Sequence, residues 1–173
     1  MAKEIELWRH TDADDDVLTP EGVAAALAIG AQLRGDYHLA ISTGAQRATQ
    51  TLACFLAGLG QQVPGGVGIE PGLRSTVEDR WRAAYQKAGS GALDDLRAAD
   101  PELVADDSQR LSGALRRILD RLPEGSRALA VGHSPSNEAA IHGLTGETVE
   151  PLGKGAGVLV VARDDQYQVE LLA

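Results

Sequence analysis

The sequence predicts an α/β fold, a three-layer α/β/α sandwich around a mostly parallel central sheet. Two observations predict it. Short apolar runs alternate with segments of helical spacing in the order strand, helix, strand, helix, the pattern of a doubly wound sheet. The strand-like runs also stop abruptly in polar clusters, and open α/β sheets bind ligands beyond the carboxyl ends of their strands. The size is compatible: 173 residues allow one domain spanning residues 1–173. A domain of that length buries roughly 70% of its unfolded surface and needs no staple. Aromatic residues are only 3% of the chain against 20 glycines, so Val, Leu, Ile and Ala must build the core through close approach of elements.

Ile5-Glu6-Leu7-Trp8 is short and alternating, reads as the first strand, and ends in Arg9-His10 and a polar run from Thr11 to Asp16. Thr19-Pro20-Glu21 then supplies an N-cap, a proline at the first helical position and an acidic first turn. Val23, Leu27, Gly30 and Leu33 follow at helical spacing, and Gly35 stops the helix. Leu39-Ala40-Ile41 is a second strand, leading into Ser42-Thr43-Gly44. From Ala45 a helix carries Ala48, Leu52, Phe55 or Leu56, and Leu59 on one face as far as Gly60; Cys54 lies on an apolar face and reads as core. The Gly- and Pro-rich stretch from Gln61 to Gly72 holds one brief strand, Val67–Ile69.

Two helices are expected over residues 73–100, joined at Gly89-Ser90-Gly91 and carrying Trp81 and Tyr85 one turn apart. The stretch at about 73–105 is expected to form a small helical cover over the site, with both aromatics mainly packing residues. Asp107 or Ser108 should cap an amphipathic helix with Leu111, Leu115, Ile118, Leu119 and Leu122. Pro123-Glu124-Gly125 turns the chain into a strand over 128–131, which ends in Gly132-His133-Ser134-Pro135. A short helix to Gly143 follows, then a terminal strand pair at 156–161 and 167–172 around Asp164-Asp165.

Charge and cysteine exclude several classes. Sixteen Lys and Arg against 25 Asp and Glu give a net charge of −9, which disfavours a nucleic-acid partner. The single Cys54 excludes an intramolecular disulfide, a Cys-pair zinc site and a redox pair. No apolar run approaches a membrane span, and MAKEIELWRH lacks the apolar core of a signal peptide, so a cytosolic protein without a membrane partner is expected.

The chemistry is expected where strands stop. Arg9-His10 follows the first strand, Ser42 to Arg47 the second, and His133 the strand over 128–131. Two imidazoles and two guanidiniums on one rim suit a phosphoryl group. Each guanidinium fork binds two phosphate oxygens and stays charged at any working pH. A neutral imidazole has a lone pair that can attack phosphorus near neutral pH, and a second, protonated imidazole would stabilise the transferring oxygens. His38 and His142 have no such placement and read as structural or solvated.

The residues also carry a resemblance. Leu7-Trp8-Arg9-His10-Thr11 looks like the Arg-His-Gly motif of the histidine phosphatase superfamily, whose members include cofactor-dependent phosphoglycerate mutases. The stretch Ser42-Thr43-Gly44-Ala45-Gln46-Arg47-Ala48-Thr49-Gln50-Thr51 resembles that family's Ser-Ser-Pro-x-x-Arg-Ala-x-Gln-Thr segment. Ala130-Val131-Gly132-His133-Ser134-Pro135 is similar to its second histidine motif, and Leu18-Thr19-Pro20-Glu21-Gly22 to its Leu-Thr-x-x-Gly helix entry. The motifs occur in the family's order across most of the chain.

By that resemblance His10 would be the nucleophile that forms a phosphohistidine, and His133 the second catalytic imidazole. Arg9 and Arg47 would complete the phosphate pocket. The resemblance implies a short, phosphatase-type member that hydrolyses a phosphomonoester or phosphohistidine, on a small substrate or a phosphoprotein, with no metal or organic cofactor. A phosphomutase using the same intermediate and an inactive phosphate-binding module are the alternatives.

Two departures stand out. Thr11 replaces the family glycine and adds a side chain beside the phosphate pocket. The family places a Glu two residues after a leucine that follows the third strand, but Leu73-Arg74-Ser75 offers Ser75 there. Glu78 is the expected substitute acid, lying one helical turn further on; Asp79 or no residue at all are the alternatives. The aspartates from Asp12 to Asp16 fit no calcium loop, because Val17 and Val23 fall where glycine and glutamate are needed. Nor do they form a magnesium-phosphatase motif on a strand, so they read as a polar loop near the site mouth.

Overall fold

The computed structural model describes residues 1–172. The chain begins with β1 (Lys3–Arg9), a small hairpin of β2 (Ala13–Asp14) and β3 (Val17–Leu18), α1 (Pro20–Gln32), β4 (Tyr37–Ser42) and α2 (Gln46–Leu59). It continues through β5 (Val67–Ile69), a 3-10 turn (Pro71–Leu73), α3 (Glu78–Ala88), α4 (Leu93–Ala99) and α5 (Pro101–Arg121). The last elements are β6 (Arg127–Gly132), α6 (Ser136–Thr145), β7 (Gly157–Arg163) and β8 (Gln166–Leu172).

The main sheet has six strands in the order β5-β4-β6-β1-β7-β8. Neighbours from β5 to β1 run parallel, while β7 and β8 pair antiparallel at the β1 edge. Side chains alternate across the sheet, and both faces are covered. Ile5, Leu7, Leu39, Ile41, Ala128 and Ala130 face the larger core, shared with α3, α4, α5 and α6. Trp8, Ala40, Leu129 and Val131 face a second core, shared with α1 and α2. Coverage on both sides explains why the central strands read as near-continuous apolar runs. Each fully buried Ile or Leu contributes about 1.5–3 kcal/mol.

Glu6 breaks that pattern. In an alternating strand it reads as the solvent side, yet it is buried against the α1–α2 layer. Its carboxylate accepts from Trp8 Nε1 (3.0 Å), the Tyr37 hydroxyl (2.8 Å) and Arg127 (2.7 Å), which offsets its desolvation. Burial beside Glu6 pushes the Tyr37 phenol far above its ordinary value.

Other local expectations shift as well. Helix α1 starts as read, with the Thr19 hydroxyl accepting from Gly22 N–H and Pro20 at its first position. Its buried face is Gly22, Ala26 and Gly30, whereas Val23 and Leu27 are exposed. The cause is close approach: a Cβ on Gly30 would lie 2.4 Å from the Phe55 carbonyl oxygen of α2. Helix α5 begins at Pro101, earlier than expected, because Asp100 caps it by accepting from Leu103 N–H. Asp107 and Ser108 are therefore buried mid-helix residues and not caps. Helix α6 runs past Gly143, which tucks against the Ser108 carbonyl of α5, and ends at Gly146. Cys54 is only half-buried at the edge of the second core.

Candidate active site

The pairing places three strand ends at one level. Arg9 sits opposite Gly132 across β1 and β6, and Ser42 opposite Val131 across β4 and β6. The residues that follow, His10, Thr43 and His133, therefore emerge together at the carboxyl edge of the sheet. Asn137, at the start of α6, ties two of these ends together. Its Nδ2 donates to the Trp8 carbonyl (3.1 Å) and its Oδ1 accepts from the His133 N–H (3.2 Å). A last strap comes from the segment before β7, where Gly155 N–H donates to the carbonyls of Arg9 and His10, each at 3.2 Å.

A cavity of about 530 Å³ opens over these ends, lined by Arg9, His10, Arg47 and His133 at its base. Glu78, Trp81, Arg82 and Tyr85 of α3 form one wall, while Ser134 and Leu152 lie on others. The two imidazole centroids are 5.5 Å apart, tilted by 58°. Expected site residues Arg9, His10, Arg47, His133 and Glu78 thus meet at one cavity.

The orientation of His10 is fixed. Its Nδ1 lies 2.7 Å from the Thr11 carbonyl oxygen, which can only accept. Nδ1 must carry the hydrogen, so in the neutral ring the lone pair is on Nε2. Burial lowers the His10 pKa, and the Arg47, Arg9 and Lys154 charges lower it further, against the hydrogen bond to Thr11. His133 is pushed down to about 3 by burial first and then by Arg47, His10 and Arg74. That shift keeps the His133 ring neutral near pH 7. Its Nε2 lies 2.9 Å from the Thr43 hydroxyl, and its Nδ1 is buried without a partner.

The two guanidiniums are held by groups far off in sequence. Arg9 donates to the Leu152 carbonyl at 2.7 Å, and burial lowers its pKa. Arg47 donates to Asp16 at 2.9 Å, and the same carboxylate accepts from the Gln46 and Arg47 backbone N–H groups at the start of α2. Asp16 thereby caps a helix whose own N-cap, Ala45, cannot. The aspartate run is thus a hairpin with Asp15 at φ 56° and a working cap; Asp12 pairs with Lys154 at 2.7 Å.

The departures resolve geometrically. The Thr11 hydroxyl donates to the Gly22 carbonyl (2.8 Å), and Thr11 does not line the cavity, so the expected crowding beside the phosphate pocket does not occur. Ser75 is also turned away, donating to the buried Asp107 at 2.6 Å. Glu78 is on the cavity wall but is held by Arg74 at 2.6 Å, while Asp79 is solvent-exposed and pairs with Arg82. Trp81 is buried with its indole donating to Asp107 (2.6 Å), and Tyr85 is exposed at the cavity lip. His142 Nε2 accepts from Arg97 away from the cavity. Sequence reading assigned no site role to Asp16, Asn137, Ser134, Thr43 or Leu152; Thr43 and Ser134 stood within quoted motifs and Asp16 in the loop read near the site mouth, whereas Asn137 and Leu152 depend on partners distant in sequence.

The mostly parallel sheet, flanked by helices and carrying a cation-rich cavity over the ends of its central strands, has a phosphoglycerate mutase-like fold. Residues 3–166 match the family model of the histidine phosphatase superfamily (branch 1), and the chain belongs to that family. Among solved structures it is similar to a phosphoglycerate mutase from Bacillus anthracis, with 22% identity, a TM-score of 0.70, and coverage of 99% of this chain and 92% of that one. It is also similar to phosphoserine phosphatase from Entamoeba histolytica, solved with 3-phosphoglyceric acid, at 17% identity and TM-score 0.73, covering 99% and 97%. YhfR of Bacillus stearothermophilus matches at 18% identity and TM-score 0.72, covering 98% and 96%. These likenesses establish the shared fold. No curated protein sequence matches the chain.

Proposed function

We propose that this chain is a metal-independent phosphatase that hydrolyses a phosphomonoester or a phosphohistidine through a phosphohistidine intermediate on His10. One observation carries the reading: the Thr11 carbonyl pins the hydrogen of His10 to Nδ1, leaving Nε2 as a lone pair in a cavity lined by Arg9, Arg47 and His133. Arg9 and Arg47 would bind the phosphoryl oxygens. Nε2 of His10 would attack phosphorus as the leaving group departs, and water would then attack the phosphohistidine to release phosphate. His133, neutral at rest, would act as a hydrogen-bond donor to a phosphoryl oxygen; a bound dianion would also offset the cationic field that keeps the ring unprotonated.

The test is to trap the protein during turnover with labelled substrate and compare it with His10→Ala. The expected result is an acid-labile label on the wild type and a loss of activity of about 10³-fold or more in the variant. An acid-stable label, or substantial activity in His10→Ala, overturns the mechanism. Passage of the label to a second phosphate acceptor in preference to water would assign a mutase instead. Tight phosphate binding with neither label nor turnover would assign a binding module.

A further inference from the structure

The surroundings of His133 contain a proton source, and we propose that Ser134, the residue after His133, backed by Glu138, protonates the leaving-group oxygen. The inference rests on the reading of His10 as nucleophile. Ser134 lines the cavity immediately after His133. Its Oγ is hydrogen-bonded to Oε2 of Glu138, one helical turn further along in α6. Glu138 is 1% exposed, and its other oxygen, Oε1, is buried with no partner. Nε of Arg9 is likewise buried with no partner, and the Arg9 charge acts on Glu138.

This is an unusual place for a carboxyl group. A buried carboxylate is costly unless fully hydrogen-bonded, and Oε1 is not. Burial accordingly raises the Glu138 pKa, against the hydrogen bond from Ser134 and the charge of Arg9. With the carboxyl protonated it donates to Ser134 Oγ, which leaves the Ser134 hydrogen free for the cavity. The other acids near the site are less suited. Glu78 is held as an ion pair by Arg74, and Ser75 is spent on Asp107.

The steps balance. As Nε2 of His10 bonds to phosphorus, the bond from phosphorus to the leaving oxygen breaks and its electron pair stays on that oxygen. The oxygen takes the Ser134 hydroxyl proton, and Ser134 Oγ takes the Glu138 proton. The charge of the carboxylate so formed is offset by the Arg9 guanidinium, which acts on Glu138. In the second half, water attacks phosphorus, the P–N electron pair returns to Nε2, and the proton of water passes through Ser134 back to Glu138.

The experiment compares wild type, Ser134→Ala, Ser134→Thr and Glu138→Gln on an alkyl monophosphate and on 4-nitrophenyl phosphate, with the label on His10 trapped in each. Alkoxides need protonation to leave and nitrophenolate does not. Ser134→Ala and Glu138→Gln are expected to lose about 10²–10⁴-fold in kcat/KM on the alkyl substrate, the usual contribution of a general acid, kcat/KM being read because it reports transfer to His10 and not the hydrolysis step that both substrates share. On 4-nitrophenyl phosphate the loss should stay under about tenfold, and Ser134→Thr, which keeps a hydroxyl, should recover most of the alkyl activity. Equal losses on both substrates would assign Ser134 and Glu138 to structure alone and overturn the proposal, as would undiminished alkyl turnover in Ser134→Ala. Should Glu138→Gln fail to fold, the Ser134 pair still decides. Absence of any His10 label in the wild type would overturn the nucleophile assignment itself, a failure distinct from loss of the leaving-group effect.

Discussion

Burial, reinforced by Arg47, His10 and Arg74, holds the His133 imidazole down near pKa 3, while the same side chain in the unfolded chain titrates near 6.5. Between those values the unfolded chain binds the proton and the folded one does not. Stability contributed by the neutral ring is therefore full above pH 6.5 and is lost as pH falls toward 3. The whole window is worth roughly 5 kcal/mol at most, from about 1.4 kcal/mol per unit. His133→Asn is expected to flatten the fall in unfolding free energy between pH 6.5 and pH 3, read by denaturant titration at several pH values. An unchanged slope would mean that another buried group dominates acid unfolding. His10 is shifted in the same direction, so the proposed nucleophile stays neutral below the pH at which a solvated histidine becomes half-protonated.

Packing between helices separates what the sequence displays from what it conceals. In an exposed helix Gly→Ala gains about 1 kcal/mol in propensity. Gly30→Ala in α1 is expected to do the opposite, because the new Cβ would meet the Phe55 backbone at 2.4 Å. Overpacking of this kind costs about 1–3 kcal/mol and should lower Tm by several degrees in calorimetry. A rise in Tm would show that α1 can slide off α2. The same close contact explains why Val23 and Leu27, apolar and correctly spaced, face solvent: small residues, not large ones, make this seam. Start signals such as Thr19-Pro20-Glu21 act within one turn and were readable in sequence. Asp100-Pro101-Glu102 is the same kind of signal, eclipsed in the reading by the stronger apolar rhythm from Leu111 onward. At the site, Arg9, His10, Arg47 and His133 stood out because they follow strands or open a helix. Glu138 did not, since nothing in one turn of helix reveals a buried, partnerless carboxyl oxygen.

At the scale of the molecule, three parallel strands ending in register bring positive charge to one edge of a chain whose net charge is −9. Arg9 and Arg47 at that edge would neutralise phosphoryl charge without a metal ion. Activity is therefore expected to survive exhaustive treatment with EDTA, with added magnesium making no difference in a phosphate-release assay. Loss that magnesium restores would transfer the chemistry to the aspartate hairpin. Among the described residues, the catalytic base of the cavity comes from the sheet, whereas its wall comes from α3, moored to α5 where Asp107 receives Ser75, Trp81 and Arg110. One buried carboxylate thus acts as the peg on which a replaceable panel hangs. On the proposed function, substitutions at Glu78, Arg82 and Tyr85 on that panel would re-tailor which leaving group is admitted while the residues at the strand ends stay unchanged. Selectivity and reactivity are written on different stretches of the chain, and divergence in one need not tax the other.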